Sequence, residues 1–213
     1  MDYNNSTSLH NWVETLNLTC VPGSKMGFIG ASYFIGWTAT CLIIPPLADR
    51  IGRKYVYRVA LTLNIFAMIG LVLSRSLNLT IGIITFIGVI TAGRILVGYV
   101  YACDFLTPKW RILYGTLNIT IDGTTTLWAA LYFDFVSKRA IYFECFGILL
   151  AIMALVLHCI LVPESPFWLL KKGKLDEGRA ALERVFAISK TDPDFDDLFD
   201  EVINPTRLNF TET

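Results

Sequence analysis

The sequence is poor in charge and in histidine, and it has no excess charge of either sign. Charged residues make up 17% of the 213-residue chain, with two histidines and 18 Lys and Arg against 18 Asp and Glu. A zero balance gives nucleic acid nothing to attract it, so no nucleic-acid partner is expected. The five cysteines show no metal-ligand spacing, so neither a metal nor a cofactor is expected. Cys41, Cys103, Cys145 and Cys159 sit in apolar runs and read as small core residues. Cys20, in a polar segment, could pair only outside the cell and only with a cysteine from elsewhere. Residues 1–24 lack Lys and Arg, and lack an apolar stretch long enough for a signal peptide. No nucleophile–base pair or phosphate loop stands outside the apolar runs, which argues against an enzyme.

What the chain does have is long apolar runs. Apolar residues are 54% of the total and the mean hydropathy is +0.53, beyond an ordinary soluble domain. A bilayer core takes roughly 20 apolar residues per helix. Five runs qualify, at 26–48, 55–73, 79–103, 112–133 and 140–162. The expected fold is an all-α, multi-pass integral membrane protein with about five transmembrane helices. Pro45-Pro46 should kink or break the end of the first run. The short gaps make successive helices antiparallel neighbours.

Lys and Arg set the orientation. One side holds Arg50, Arg53, Lys54, Arg58, Lys109, Arg111, Lys171, Lys172 and Lys174; the other holds Lys25, Arg75, Lys138 and Arg139. The richer side faces the cytoplasm. Residues 1–25 are then an extracellular or lumenal loop segment, 26–162 the transmembrane domain, 163–205 cytoplasmic amphipathic helices and 206–213 a polar tail. Sequons at Asn5 and Asn17 suit an external segment. Leu175, Leu182, Val185 and Phe186 fall at helical spacing. Asp192-Pro193 starts a second amphipathic helix with a stripe at Phe195, Leu198, Phe199, Val202 and Ile203, stopped by Asn204-Pro205.

Leu47-Ala48-Asp49-Arg50-Ile51-Gly52-Arg53-Lys54 is a tight basic turn between two apolar runs. Gly52 allows a sharp reversal. Asp49 ends a helix, where a lone carboxylate is unfavourable, so a cationic partner is expected. Three further segments accompany it. They are Asn17-Leu18-Thr19-Cys20, then Gly98-Tyr99-Val100-Tyr101 with Asp104-Phe105 and Lys109-Trp110-Arg111, then Pro163-Glu164-Ser165-Pro166 with Trp168-Leu169. Together they resemble the organic cation/anion transporter branch of the major facilitator superfamily, close to the sugar porters. The resemblance runs over about residues 17–190. It implies part of a twelve-helix transporter's N-terminal half, with five helices matching the second to the sixth. It also implies alternating access around a midplane site, and a partner in the second half or a larger membrane complex. The alternative is a non-transporting membrane subunit or scaffold derived from such a transporter.

The same resemblance implies a cytoplasmic charge network of Asp49, Arg50, Arg53, Lys54, Asp104, Arg111 and Glu164 that latches helix ends. The bland alternative is loop anchoring by basic residues. Two positions depart from the family pattern: Asp104 replaces the usual Glu, and Phe167 replaces an Arg that would have been a latch partner. Within the membrane, Arg94 and Asp122 are each about 15 Å from the cytoplasmic edge at 1.5 Å per residue. An isolated charge there costs at least about 2.5–3.5 kcal/mol. Their equal depth predicts a pair, either facing a solute cavity or merely fixing helix packing; Arg94 alone contacting an anionic solute group is a third reading. Tyr99, Tyr101, Trp37 and Trp128 are candidate cavity aromatics for stacking on a small organic ion, or else packing and interface anchors. His158 reads as a core histidine, Glu144 and Asp134 as hydrated helix-end charges. Asn64 and Asn118 read as bonds between helices, and Gly88, Gly93, Gly98 and Gly123 as points of close helix approach.

Overall fold

The computed structural model describes residues 9–106 and 108–189. Asn5, the Asp192-Pro193 helix with its stripe, and the tail lie outside the described residues, as do the side chains of Lys109, Val185 and Phe186. The described chain is helical. The elements are α1 (Trp12–Thr15), α2 (Gly23–Cys41), α3 (Ile44–Ile51), α4 (Arg53–Leu73), α5 (Leu77–Cys103), α6 (Pro108–Phe135), α7 (Ala140–Leu161), α8 (Pro166–Lys171) and α9 (Leu175–Ser189).

α4, α5 and α7 are long and apolar enough to cross a membrane, and α2 with α3 make a fourth span if counted as one bent helix. Pro45 and Pro46 explain the bend of 46°. Neither has an N–H to donate to the carbonyls of Cys41 and Leu42, so the helix stops there and restarts with proline in its first turn. The fifth expected span, α6, has ample length at 28 residues but is more polar. Its threonines are satisfied within the helix: Thr116 Oγ1 donates to the Ile112 carbonyl at 3.0 Å and Thr120 Oγ1 to Thr116 at 2.8 Å.

Small residues decide the packing. α2 runs along α5, and α4 lies between α5 and α7. At the α2–α5 crossing, a Cβ on Gly36 would stand 2.3 Å from the Thr85 carbonyl oxygen, and one on Gly88 2.1 Å from that of Tyr33. Only glycine fits there. Thr40 Oγ1 seals the crossing by donating to the Val89 carbonyl at 3.0 Å. Gly93 meets the Ala60 methyl and Gly98 the Tyr57 ring, whereas Gly123 has nothing within 4 Å. The close approach expected at Gly123 is therefore absent. Asn64 likewise bonds within its own helix, to Met68 Sδ at 3.4 Å, rather than between helices. The core is thin, with Ala60, Ala67 and Ile90 in one cluster and Ala48, Val56 and Val97 in another. α7 buries no residue of its own. Its apolar exterior suits lipid, where helical backbone groups satisfy one another.

The ends of α6 and α7 remote from the Gly52 turn are strapped to the N-terminal segment. The His10 N–H donates to the Lys138 carbonyl and the Ala140 N–H to the His10 carbonyl, both at 3.0 Å. Trp12 Nε1 donates to Glu144 Oε1 at 2.7 Å. Glu144 thus has an indole partner instead of the water expected from its position.

Candidate functional site

Gly52 organises the turn between α3 and α4. Its φ of 114° is closed to residues with a side chain, and a Cβ would stand 3.0 Å from Glu164 Oε2. As the residue before α4 it also has no side chain to cap the helix. Glu164 does this from across the molecule: its Oε1 accepts from the Lys54 N–H at 3.0 Å, and from the Ser165 N–H at 3.0 Å. A carboxylate at a helix N-terminus satisfies an orphan donor and the helix dipole together.

Arg53 then reaches two carboxylates. Its Nη2 bonds Asp49 Oδ1 at 2.9 Å, one turn back, and its Nη1 bonds Asp104 at 2.6 and 2.7 Å. The Asp104 side chain is 11% exposed and that of Asp49 52%. The deeper bond joins the start of α4 to the end of α5. Ser165 Oγ donates to the Asp104 carboxylate and accepts from the Trp168 N–H at 3.1 Å, so it caps α8 as well. Trp168 Nε1 donates to the Asp49 carbonyl at 2.8 Å. Four helix ends thus meet in one network of Asp49, Arg53, Asp104, Glu164, Ser165 and Trp168.

Three residues of the expected network stand apart. Arg111 Nε donates to the carbonyls of Cys103 and Leu106 at 2.9 and 2.8 Å, not to a carboxylate. Those carbonyls lie at the end of α5, where helix acceptors lack intrahelical donors and a basic side chain can supply one. The Arg111 guanidinium lies 5.8 Å from the centroid of the Phe167 ring. Phe167 is therefore a cation–π partner rather than an empty place in a latch. Lys54 joins through its backbone alone, and Arg50 is exposed.

Above the network, a cavity of about 830 Å³ lies between α5 and α6 and reaches down to Leu106 and Pro163. Arg94, Asp122, Tyr99 and Tyr101 line it, joined by Tyr57, Tyr114 and His158. Arg94 sits in a π-helical stretch, Ala92–Val97, inside α5. Such wide turns recur at functional positions. Gly115 gives Tyr99 room to cross to α6, where its ring stacks on Tyr114 at 5.7 Å. Arg94 and Asp122 share this cavity without an ion pair between them. Equal depth placed them on one cavity, but the space between α5 and α6 holds them apart. Arg94 Nε is buried and has no hydrogen-bond partner.

Trp37 and Trp128 do not line the cavity. Trp37 belongs to the α2–α5 crossing and contacts the rings of Tyr33 and Phe34. Trp128 is 63% exposed and lies six residues, about 9 Å along the helix, beyond Asp122. In the sequence Ser165 and Trp168 stand out only as parts of the 163–169 segment, and their bonds to Asp104 and to the Asp49 carbonyl reach across 61 and 119 positions. Tyr57 and His158 fall late or early in apolar runs and carry no spacing signal.

The sugar (and other) transporter family model matches residues 3–208. The chain belongs to the sugar (and other) transporter family. It is 26% identical over 206 residues to an organic cation transporter protein of Drosophila melanogaster, covering 94% of this chain and 37% of that one. It is 22% identical over 205 residues to organic cation transporter 1 of Caenorhabditis elegans, covering 95% of this chain and 34% of the relative. An inner membrane metabolite transport protein of Escherichia coli is 28% identical over 166 residues, 75% of this chain and 37% of its own length. The chain spans about a third of the length of these relatives. Membership makes it a multi-pass integral membrane protein of a solute-transporter family.

Proposed function

We propose that this chain acts within the N-terminal half of an alternating-access transporter for a small organic ion or sugar-like solute. The observation that carries the proposal is the cavity with Arg94 and Asp122 on its walls. Its volume of about 830 Å³ suits a small solute. Two membrane charges kept unpaired beside it are costly unless a solute or water answers them. The network of Asp49, Arg53, Asp104 and Glu164 is the cytoplasmic latch in this reading. It closes helix ends beneath the cavity and releases when they part. The second half of the transporter, or a larger membrane complex, supplies the opposite wall. No covalent chemistry and no cofactor enter; named relatives are transporters.

The non-transporting scaffold is the alternative, favoured by Phe167 tying up Arg111 where the family pattern has a latch cation. Uptake by the full-length gene product in proteoliposomes separates the two. Labelled tetraethylammonium, a labelled aromatic carboxylate and labelled glucose are the probes. Saturable uptake of one of them, abolished in a monodisperse Arg94→Ala variant, is expected. Absence of uptake for all three, with protein correctly inserted, removes the transporter reading and leaves the scaffold.

A further inference from the structure

Three cations meet at the end of α7 without a carboxylate of their own. Lys54 and Arg58 are four residues apart on α4, so they share a face, where like charges repel. Arg58 Nη2 donates to the carbonyls of His158 and Cys159 at 3.4 and 3.2 Å. Arg184, from α9, donates through its own Nη2 to the next carbonyl, that of Ile160, at 2.9 Å. The carbonyls of a last helical turn accept from basic side chains, and here they draw two arginines to one place. The charges of Arg58 and Arg184 both bear on the Lys54 ammonium. None of the three forms an ion pair among the described residues. Glu183, next to Arg184, pairs with Arg179 instead. Glu164 is the carboxylate that acts most on Lys54, but its Oε1 already accepts two backbone N–H groups. Three cations against Glu164 leave a surplus of two positive charges.

Like charges gathered in this way cost free energy unless an anion answers them. The place favours one kind of anion. α7 buries none of its residues, and Val156 and Ile160 on it are exposed, as are Val59 and Phe66 on α4. An apolar surface of this kind on membrane-spanning helices meets lipid chains. The cluster stands where α7 ends, at the depth of the headgroups above those chains. The Lys and Arg bias assigns this end of the bundle to the cytoplasm, whose leaflet carries the anionic lipids. Two surplus charges match a phosphate monoester, which carries nearly two negative charges at neutral pH, better than the single charge of a phosphate diester. We propose that Lys54, Arg58 and Arg184 bind the headgroup of a lipid that bears a phosphate monoester. The arginines offer the N–H groups that the α7 carbonyls leave free, in the fork that suits phosphate, and Lys54 adds a point charge. The proposal requires the chain to sit in a bilayer and is independent of any solute in the cavity.

The test is lipid binding by native mass spectrometry of the full-length protein in detergent, with dioleoyl phosphatidic acid as the monoester and dioleoyl phosphatidylglycerol as the diester. The wild type should hold one phosphatidic acid about tenfold tighter than phosphatidylglycerol, as expected for one more charge met by charge-assisted hydrogen bonds. Each cation beside a membrane phosphate is worth about a factor of five. Arg184→Gln and Lys54→Gln should each weaken phosphatidic acid by about that factor, and the double variant should bring it close to phosphatidylglycerol. Lys174→Gln, one residue before α9 and paired with Glu177, should change neither affinity. Equal affinities for the two lipids in the wild type overturn the proposal, as does an unchanged preference in a folded Arg184→Gln protein. An equal loss from Lys174→Gln shows a diffuse basic surface and overturns it too. If the double variant does not fold, Arg184→Gln, whose side chain is exposed, decides alone. Excess glycerol 3-phosphate separates lipid from soluble phosphate. It should leave the bound phosphatidic acid in place, and full displacement would overturn the assignment to a lipid.

Discussion

Asp49 and Asp104 bond the same arginine, yet their removal should have unequal consequences. Asp49 is 52% exposed and one helical turn from Arg53, at 2.9 Å. Exposed pairs of that spacing contribute about 0.3–0.5 kcal/mol. Asp104 is 11% exposed against an arginine 20% exposed, at 2.6 Å, and it also takes the Ser165 hydroxyl. Removing one partner of a fully buried pair costs about 3–5 kcal/mol; the residual exposure here lowers that to roughly 2–3 kcal/mol. Asp104→Asn should therefore destabilise the protein several times more than Asp49→Asn. Thermal unfolding in detergent measures both. A double-mutant cycle with Arg53→Gln isolates each pair. The coupling between Arg53 and Asp104 should exceed about 1.5 kcal/mol, and that between Arg53 and Asp49 should stay near 0.5 kcal/mol. Equal couplings, or a larger one for Asp49, would refute the assignment of the latch to the buried bond.

Gly52→Ala should cost at least about 2 kcal/mol, because alanine resists this positive φ and its methyl would press on Glu164; a melting temperature equal to wild type would contradict the strained-turn account. Gly88→Ala should disrupt the α2–α5 crossing and melt well below wild type, while Gly123→Ala, with open space around it, should raise stability by about 0.5–1 kcal/mol. Matching melts for the two alanine variants would show that the crossing is not as tight as its distances. Phe167→Ala should lose the contact under Arg111, about 0.5–1 kcal/mol, and Phe167→Arg should melt lower still by placing two guanidiniums together. A gain in stability from Phe167→Arg would mean that the position still wants a latch cation.

The spans were legible because lipid demands about twenty apolar residues at a time. The broken first span followed from two prolines whose missing donors can be counted. What the sequence concealed was facing and competition. Depth placed Arg94 and Asp122 on one cavity, but a helical rise says nothing about separation across the gap. The π-helical turn around Arg94 has no signature in Ala-Gly-Arg-Ile-Leu-Val; it accompanies Gly93 pressed to Ala60, a tertiary contact. The family resemblance assigned Arg111 to the network of carboxylates. Its Nε donates instead to the carbonyls of Cys103 and Leu106 just past the end of α5. Ser165 caps α8, and its second bond to Asp104 depends on a residue 61 positions away.

One helix carries both halves of the site. α5 holds Arg94 at the cavity, Tyr101 against the Pro163 carbonyl and Asp104 in the network. From Arg94 to Asp104 is ten residues, about 15 Å of helix. Below the π-helical stretch the segment Gly98–Cys103 is ordinary α-helix, which moves as a rod. In the proposed transport cycle, a solute that pulls Arg94 would act on the wide turn first, the one place in α5 where the backbone departs from α geometry. Rotation there carries Tyr101 and Asp104 together. Those two residues contact the Pro163-Glu164-Ser165 segment, and Glu164 in turn caps α4. In the proposed cycle, cavity and latch would thus be the two ends of one helix, α5.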